Sequence, residues 1–558
     1  MSSKFQFKIR AFCALLCLLI GGFTSATYAQ TVVYGTLTDQ ATKEPLAGAS
    51  IVVTGQQIGA NTDESGAYVL KLSNGSYALR ISYIGYENTF VNVEVSGQDS
   101  IQQDIVIGRN DYGLDAVMVT ASSTFRSQKQ APLSISALKM DQITNLSANS
   151  QADILRSIPG VTAEGGGGET ATNLFVRGLP SGGQYTFNPL QYDGLPLMST
   201  FGLNSSAHDV YARPDIGFKG VEFVRGGASI LYGAGSAAGI INYISKTGDT
   251  DPGNIVNVEW ATQNRIKTDF YSGGRLGGED SDTYYAITGF LRYDEGPYAT
   301  GIPTRGGQVR GNIRKHFDNG FFTVHGQYIN DRAQFLMPLP LEGGTRARIN
   351  GNDGVPVTQL MSGELSNTSF LTPGGVYDSP IEDGVFTKGG YVMGDFEYYF
   401  NDDLKFRAKA RMADYHHSFA LYVGGNGGFG SNPIAFSTYM DSVAPGNTGV
   451  TANYHGENGT VPGSDLVVEN LHVDRIRPMS DFVGEASLTQ TINTASGSHN
   501  LTLGVFAGRS EASDINFQYR ILTEFNNNPR LVDVNYTDAN GQSVVYSQGG
   551  IYNRIGQT

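Results

Sequence analysis

"LKFRAKARMAD", residues 404–414, alternates without a break: Leu404, Phe406, Ala408, Ala410 and Met412 take one side, and Lys405, Arg407, Lys409 and Arg411 the other. Successive side chains of an extended strand point to opposite faces, so one face is apolar and the other carries four cations. Such a cationic face cannot be buried dry and borders water, which leaves the apolar face in need of another solvent. The split recurs in "NIVNVEWAT" (254–262), with Val256, Val258 and Trp260 opposed to Asn257 and Glu259. It recurs again in "TYYAITGFLRY" (283–293) and "HNLTLGVFAGR" (499–509), whose apolar sides are Tyr285, Ile287, Leu291 and Tyr293, then Leu501, Leu503 and Val505. Strands of about ten residues, wet on one face and greasy on the other, are the signature of a transmembrane antiparallel β-barrel with a polar lumen. A soluble sandwich of amphipathic strands also alternates. Strand length, an export leader and polar stretches such as 336–387, long for inter-strand loops, favour the barrel.

Composition agrees. The 558 residues include 72 glycines, 30 tyrosines and 29 phenylalanines with only 16% charged residues, a mix suited to many strands, turns and aromatic girdles. A net charge of -14, with no Lys/Arg cluster, excludes a nucleic-acid partner. At the N-terminus Lys4, Lys8 and Arg10 precede an apolar run from Ala11 to Phe23 and small residues through Ala29. This reads as a secretory signal over 1–29, cleaved after Ala29, since the apolar run is too short to anchor in a membrane. Cys13 and Cys17 are the sequence's two cysteines, so disulfides and thiolate metal sites are excluded from the exported chain.

Between leader and barrel two further units are expected. Residues 30–109 place short Val/Ile/Tyr-rich runs between turns such as "NTDESGAY" and "LSNGSY", the spacing of a β-sandwich. "LDAVMVTAS" (114–122) is a β-prone segment among polar and small residues, either a linker strand or an extended segment that a partner's sheet edge could add to. In 124–247, Ala152, Ile154, Leu155 and Ile158 space as a helix face stopped by Pro159 and Gly160, followed by four strand-like runs, which gives an α+β unit.

The last two of those runs fall in "VEFVRGGASILYGAGSAAGIINYISKTG" (221–248), whose six glycines raise the question of a phosphate loop. Gly233, Gly235 and Gly239 miss the dinucleotide spacing by one residue, and a strand rather than a helix follows. No nucleophile elbow, Walker lysine or zinc-protease motif occurs, so no catalytic residues and no cofactor are expected. Glycines there instead let backbone pass close to a neighbouring wall. His416 and His417 point to opposite faces of a strand and cannot share a metal, and no metal site is expected.

Two resemblances sharpen this reading. Gly35, Asp39, Pro45, Leu46, Gly48, Ala49, Thr62, Asp63, Gly66, Tyr68 and "SYIGYE" (82–87) resemble the carboxypeptidase regulatory-like domain found ahead of many Bacteroidetes outer-membrane receptors. Val176, Arg177 and Gly178, then Asp193 and Gly194, then Arg225, Gly226, Tyr232, Gly233, Gly239, Asn242 and Lys246 resemble the three plug motifs of TonB-dependent outer-membrane receptors. The resemblance implies a plug over 124–247 inside a barrel beginning at 248, and a linker over 110–123. It puts Asp115, Ala116, Val117, Met118, Val119 and Thr120 in the place of the segment that contacts TonB. It implies ligand contacts from the loops Glu164 to Thr172, Ser181 to Asn188 and Met198 to His208, with Gln184, Tyr185, Phe187, Phe201 and His208 as candidates. Arg177 and Arg225 are expected to pair with acidic residues of the barrel wall, as a buried guanidinium must.

The implied function is TonB-dependent import of a scarce nutrient across the outer membrane, a ferric siderophore or other iron chelate first and a SusC-like oligosaccharide second. Partners would be the TonB complex, the small ligand and outer-membrane lipid. An exported adhesion protein without transport is the reading of another class, and the lumen face of 404–414 speaks against it. After Asp251 about ten strands are legible, against the 22 that close the family's barrels. "GIYNRIGQT" (550–558) lacks the family's terminal aromatic strand, so a fragment of a longer protein is expected.

Overall fold

In the computed structural model the described residues are 31–107 and 134–552, without 40–42, 54–57, 84–88, 147, 166–167, 180–183, 199–206, 226–235, 279–280, 299, 337–338, 365–368, 373–374, 380–383, 402, 425–431, 447 and 495–496. The leader, Asp115 to Thr120, Phe201, Gly226, Tyr232 and Gly233 lie outside them. The chain divides into two compact units, with 31–107 in the first and 134–552 in the second.

The first unit is the expected β-sandwich. Thr31–Asp39 pairs with Ala67–Leu72 on one side and with Ser100–Gln102 and Ile105–Ile107 in turn on the other. The second sheet runs Gly59–Asn61, Ser50–Val53, Gly75–Ser82, Thr89–Val95. Period-two alternation puts Val33, Leu37, Leu70, Leu72, Leu79 and Ile81 in a shared core. The "TDESGAY" turn closes on Asp63, whose Oδ1 accepts from the backbone N–H of Ser65 at 2.8 Å and of Ala67 at 3.0 Å.

The second unit begins with an α+β core. Helix Gln151–Arg156 starts at a capping box in which Ser150 Oγ accepts from Asp153 N at 3.2 Å and the Asp153 carboxylate accepts from Ser150 N at 3.2 Å. Its Ala152, Ile154 and Leu155, with Ile158 beyond, are buried as the spacing requires. They pack on a five-stranded sheet ordered Leu195–Pro196, Leu190–Tyr192, Gly239–Ser245, Phe218–Arg225, Ser134–Lys139. Two of the family-like motifs are now legible as turn chemistry. Arg177 and Gly178 have φ of 50° and 81°, Asp193 and Gly194 φ of 51° and 91°. Two consecutive left-handed residues make the tight turn that matches strand twist, and glycine is the cheap occupant of the second.

Nine long antiparallel neighbours follow among the described residues: Gly253–Ala261, Arg265–Arg275, Thr283–Asp294, Thr304–Phe317, Gly320–Ala333, Val385–Asn401, Leu404–Gly424, Leu466–Thr494, and a ninth in two pieces, Gly497–Ala512 and Ile515–Glu524. The break in the ninth puts Asp514 against Arg475 at 2.5 Å and Arg477 at 3.5 Å. Connections at one end are short, while at the other two of them run over 334–384 and 425–465, the asymmetry of periplasmic turns against extracellular loops. The long-loop end carries further structure, with helix Phe436–Val443 packed beside strands Thr448–Tyr454, Val532–Thr537 and Ser543–Gln548.

The apolar phase of every strand faces outward. Val256 is 72% exposed, Trp260 81%, Met412 68% and Leu503 77%, a band that water would not tolerate and lipid would. Aromatics edge it at both ends, Trp260, Tyr293 and Tyr328 toward the long loops and Phe317, Tyr399 and Phe400 toward the short turns. The cationic phase of 404–414 departs from expectation. Lys409 and Arg411 are buried, not bathed in water, because carboxylates on flanking strands and the α+β core fill that side. Lys409 lies 3.5 Å from Asp395, Arg411 3.2 Å from Asp481, and Arg407 3.4 Å from Asp395.

Candidate functional site

The α+β core sits against the inner face of the strand wall, and the contact is built from charge. Asp215, just before strand Phe218–Arg225, receives Nε and Nη2 of Arg310 at 2.8 Å each. Gly217 N, Gln308 Nε2 and Thr288 Oγ1 add hydrogen bonds at 2.9, 2.9 and 3.2 Å. Burial pushes the Asp215 carboxyl up, but the Arg310 charge and these donors outweigh it and hold it below its ordinary value. The guanidinium lies 3.6 Å from the Phe218 ring centroid, so its flat face is covered as well as its edge.

Two further ion clusters flank this one. Arg213 of the core and Arg292 of the wall share Asp331, at 3.1 Å and 2.7 Å, and Arg292 also pairs with Glu169 of the core. Near the chain's entry into the wall, Asp249 meets Arg314 at 3.2 Å and His316 at 2.9 Å. Burial raises the Asp249 carboxyl, yet Arg314, Thr247 and His316 together lower it to about 2. A depressed carboxyl contributes stability that is complete above its unfolded value of 3.8 and disappears as pH falls through the folded value. The 246–252 junction should therefore keep its protection from hydrogen exchange from pH 7 down to about 4 and lose it toward pH 2, with Asp249→Asn insensitive over that range.

The motif residues hold the core to itself. Asp193 accepts from Ser245 N at 2.8 Å and Ser245 Oγ at 2.7 Å, while Gly194 N donates to Asn242 Oδ1 at 2.9 Å, so the second motif is stitched to the third. Lys409 donates to the Asp193 carbonyl and ties that turn to the wall. The expected pairing of Arg177 and Arg225 with wall acids is overturned. Arg177 donates to Ser134 Oγ at 3.2 Å, and Arg225 to the Pro159 carbonyl at 2.9 Å and to Ser136 Oγ, all within the core. Wall arginines meeting core acids do that work instead. The glycine argument shifts likewise: a Cβ on Gly239 would meet Val224 O at 2.6 Å within its own hairpin. The glycines pressed on the wall are Gly168, Gly217 and Gly248, where a Cβ would come within 2.3 Å of Gln334 O, 2.3 Å of Thr288 and 2.1 Å of Tyr285 O.

At the long-loop end the core meets an aromatic floor. Phe335 and Phe419 stack edge-on at 4.7 Å, His417 lies 6.2 Å from Phe419, and Tyr211 of the core touches His417 at 5.6 Å and Tyr415 at 5.0 Å. Gly168 bridges to Phe335, which brings that residue of the core to this end, and Phe187 packs, partly buried, on the core. Gln184 is half-buried in the same turn. Tyr185 and His208 are corrected from ligand contacts to core residues: both are closed from solvent and stacked at 5.6 Å, with His208 Nδ1 accepting from Leu190 N at 3.1 Å. Burial lowers His208 to about 3, as befits a neutral packing residue. His416 faces out and His417 in, and no cluster of metal-ligating side chains forms among the described residues. Sequence reasoning missed Asp215, Arg310, Glu169, Arg292, Phe335 and Phe419. The one signal available was phase, since Gln308, Arg310, Asn312 and Arg314 share the inward face of one strand.

Comparison with known proteins bears on the same parts. Residues 33–119 match the CarboxypepD_reg-like domain and 127–240 the TonB-dependent receptor plug domain. A hemin receptor of Yersinia enterocolitica is 35% identical over 130 residues, 23% of this chain and 18% of that protein. The ferrichrome outer membrane transporter/phage receptor of Escherichia coli K12 is 26% identical over 335 residues, 59% of this chain and 41% of that one. These alignments span less than half the length of either curated relative. Among solved structures, the ferric preacinetobactin receptor BauA of Acinetobacter baumannii superposes with a TM-score of 0.49 at 13% identity, covering 75% of this chain and 57% of that one. The α+β core is thus matched by the TonB-dependent receptor plug domain, and the relatives it resembles are a hemin receptor and a ferrichrome outer membrane transporter/phage receptor.

Proposed function

We propose that the chain serves TonB-dependent import of an iron chelate across the outer membrane, after export by a leader cleaved behind Ala29. The observation that carries this reading is the plug held in a lipid-faced wall, in a chain whose relatives are named for hemin, ferrichrome and ferric pyoverdine. The ligand rests on the long-loop side of the plug, over Phe187, Phe335 and Phe419, with Gln184 at its edge and Tyr185 and His208 bracing the turn beneath; Phe201 stays a candidate contact. Arg475 and Arg477, which share the single carboxylate of Asp514, leave positive charge for an anionic chelate at that end. Asp115 to Thr120 is the segment that TonB takes up as an added strand. The polar lumen phase of Lys405 to Arg411 speaks against an adhesin.

The test is uptake of a radiolabelled ferric siderophore by iron-starved cells. Deleting 115–120 should reduce uptake to background while surface binding of the chelate stays at the wild-type level. Loss of binding and uptake together would deny the segment its energising role, and unchanged iron uptake with impaired growth on an oligosaccharide would turn the cargo to glycan.

A further inference from the structure

Every guanidinium nitrogen of two buried wall arginines is used. Arg310 gives Nε and Nη2 to Asp215 and Nη1 to Ser245 Oγ, and Arg292 gives Nε and Nη2 to Asp331 and Nη1 to Glu169. Arg411 is different. Its side chain is buried deeper than either, at 1% exposure, yet Nη2 alone donates, to Asp481 at 3.2 Å. Nε and Nη1 are buried with no hydrogen bond among the described residues. A guanidinium is expensive to desolvate, and buried donors are as a rule answered, so idle ones ask for a task. Balancing Asp481 does not need them, since that carboxylate also accepts from Ser510 Oγ. The surroundings place the residue in the seam between plug and wall. Tyr391 of the wall lies with its ring centroid 5.7 Å from the guanidinium carbon. On the plug side burial first, and the Arg411 charge second, keep His208 neutral. Along strand Leu404–Gly424 the inward positions run Tyr415, Ala413, Arg411, Lys409, Arg407, Lys405. Arg411 thus stands about 13 Å from Tyr415 of the aromatic floor toward the short-turn end, and three cations follow at intervals of about 7 Å. Those three are shared out, Lys409 and Arg407 to Asp395, Arg407 and Lys405 to Glu397.

We propose that Arg411 is a transit site for the cargo, an anion-binding position that the seated plug keeps closed. When the plug turn carrying His208 shifts, the idle Nε–H and Nη1–H groups take anionic oxygens of the chelate, carboxylate or phenolate, on its way from the floor to the half-buried Arg407 and Lys405. Hydrogen bonds from a guanidinium to such oxygens are charge-assisted and strong, and a guanidinium keeps its charge in a buried seam where an amine would tend to lose it. Because the position is occluded while the plug is seated, it acts in passage and not in capture. The inference rests on the import reading of the chain.

The experiment compares surface binding and uptake of a radiolabelled ferric tris-catecholate, a trianion, by iron-starved cells carrying the full chain or its variants. Arg411→Gln should slow uptake about tenfold, the worth of one hydrogen bond to a charged group, with the half-saturating concentration and surface binding unchanged. That change also strands Asp481, so the deciding variant is Arg411→Gln/Asp481→Asn, which leaves a neutral pair able to hydrogen-bond and should stay as slow. Wild-type uptake by the double variant would mean that Arg411 only balances Asp481 and would overturn the transit role. Wild-type uptake by Arg411→Gln would overturn it too, as would a double variant that loses binding together with uptake, the mark of a residue that supports the fold. Wild-type cells that neither bind nor import the trianion overturn the import reading itself, and the transit site with it.

Discussion

Arg310→Ala should loosen the plug from the wall by about 3–5 kcal/mol, the cost of leaving a buried charge without its partner. Asp215 is completely closed from solvent, and Arg310 satisfies both of its oxygens from 95 residues away in sequence. Removing the guanidinium strands a carboxylate left with the hydrogen bonds of Gly217, Gln308 and Thr288 among the described residues. The measurement is urea-dependent thiol labelling of Ala152→Cys in the plug core, a clean reporter in a chain expressed from Gln30 because Cys13 and Cys17 are the sequence's only other cysteines. Asp215→Ala/Arg310→Ala should cost less than the sum of the single changes, since the pair leaves together. Additive costs would mean that the two residues stabilise the plug independently and would remove the electrostatic account of plug seating.

The second large effect belongs to the outer surface. Val505→Arg puts a charge in the middle of the outward band, flanked by Leu503 and Ala507 and opposite Ala486. On a water-exposed sheet this change would be nearly neutral. In a bilayer a guanidinium near the midplane costs about 2–4 kcal/mol. Folding into vesicles under a urea series measures it directly, with Arg509, already charged beside Glu511 near the rim, as the internal reference. A cost below a few tenths of a kcal/mol would show that this face is wet.

Much of this molecule was legible in the sequence, and the physical reason is locality. Alternation in 404–414 and 499–509 has a period of two whatever else the chain does, so the lipid face of Met412 and Leu503 could be read without coordinates. The Asp193-Gly194 turn was legible because only a few residues tolerate two left-handed conformations in succession. The helix around Leu155 carried its own cap and stop. What resisted reading was every contact between distant stretches. That Arg177 and Arg225 carry charge is written in the sequence, but whether a serine hydroxyl or a wall carboxylate answers it depends on which strands fold together. The same ambiguity hid Asp215, which looks like any loop aspartate until Arg310 arrives. Tyr185 and His208 misled for a related reason, since an aromatic and a histidine in a loop suggest a ligand as readily as a core. The structure resolves this by stacking them on each other out of reach of solvent.

The division of charge between plug and wall has one more consequence. At the two contacts Asp215–Arg310 and Glu169–Arg292 the acid rides on the plug, and the guanidinium stays on the wall. With the plug seated, those positive sites are titrated by a tethered counterion. Any withdrawal of the plug regenerates them, as eluting the bound salt regenerates an anion-exchange resin.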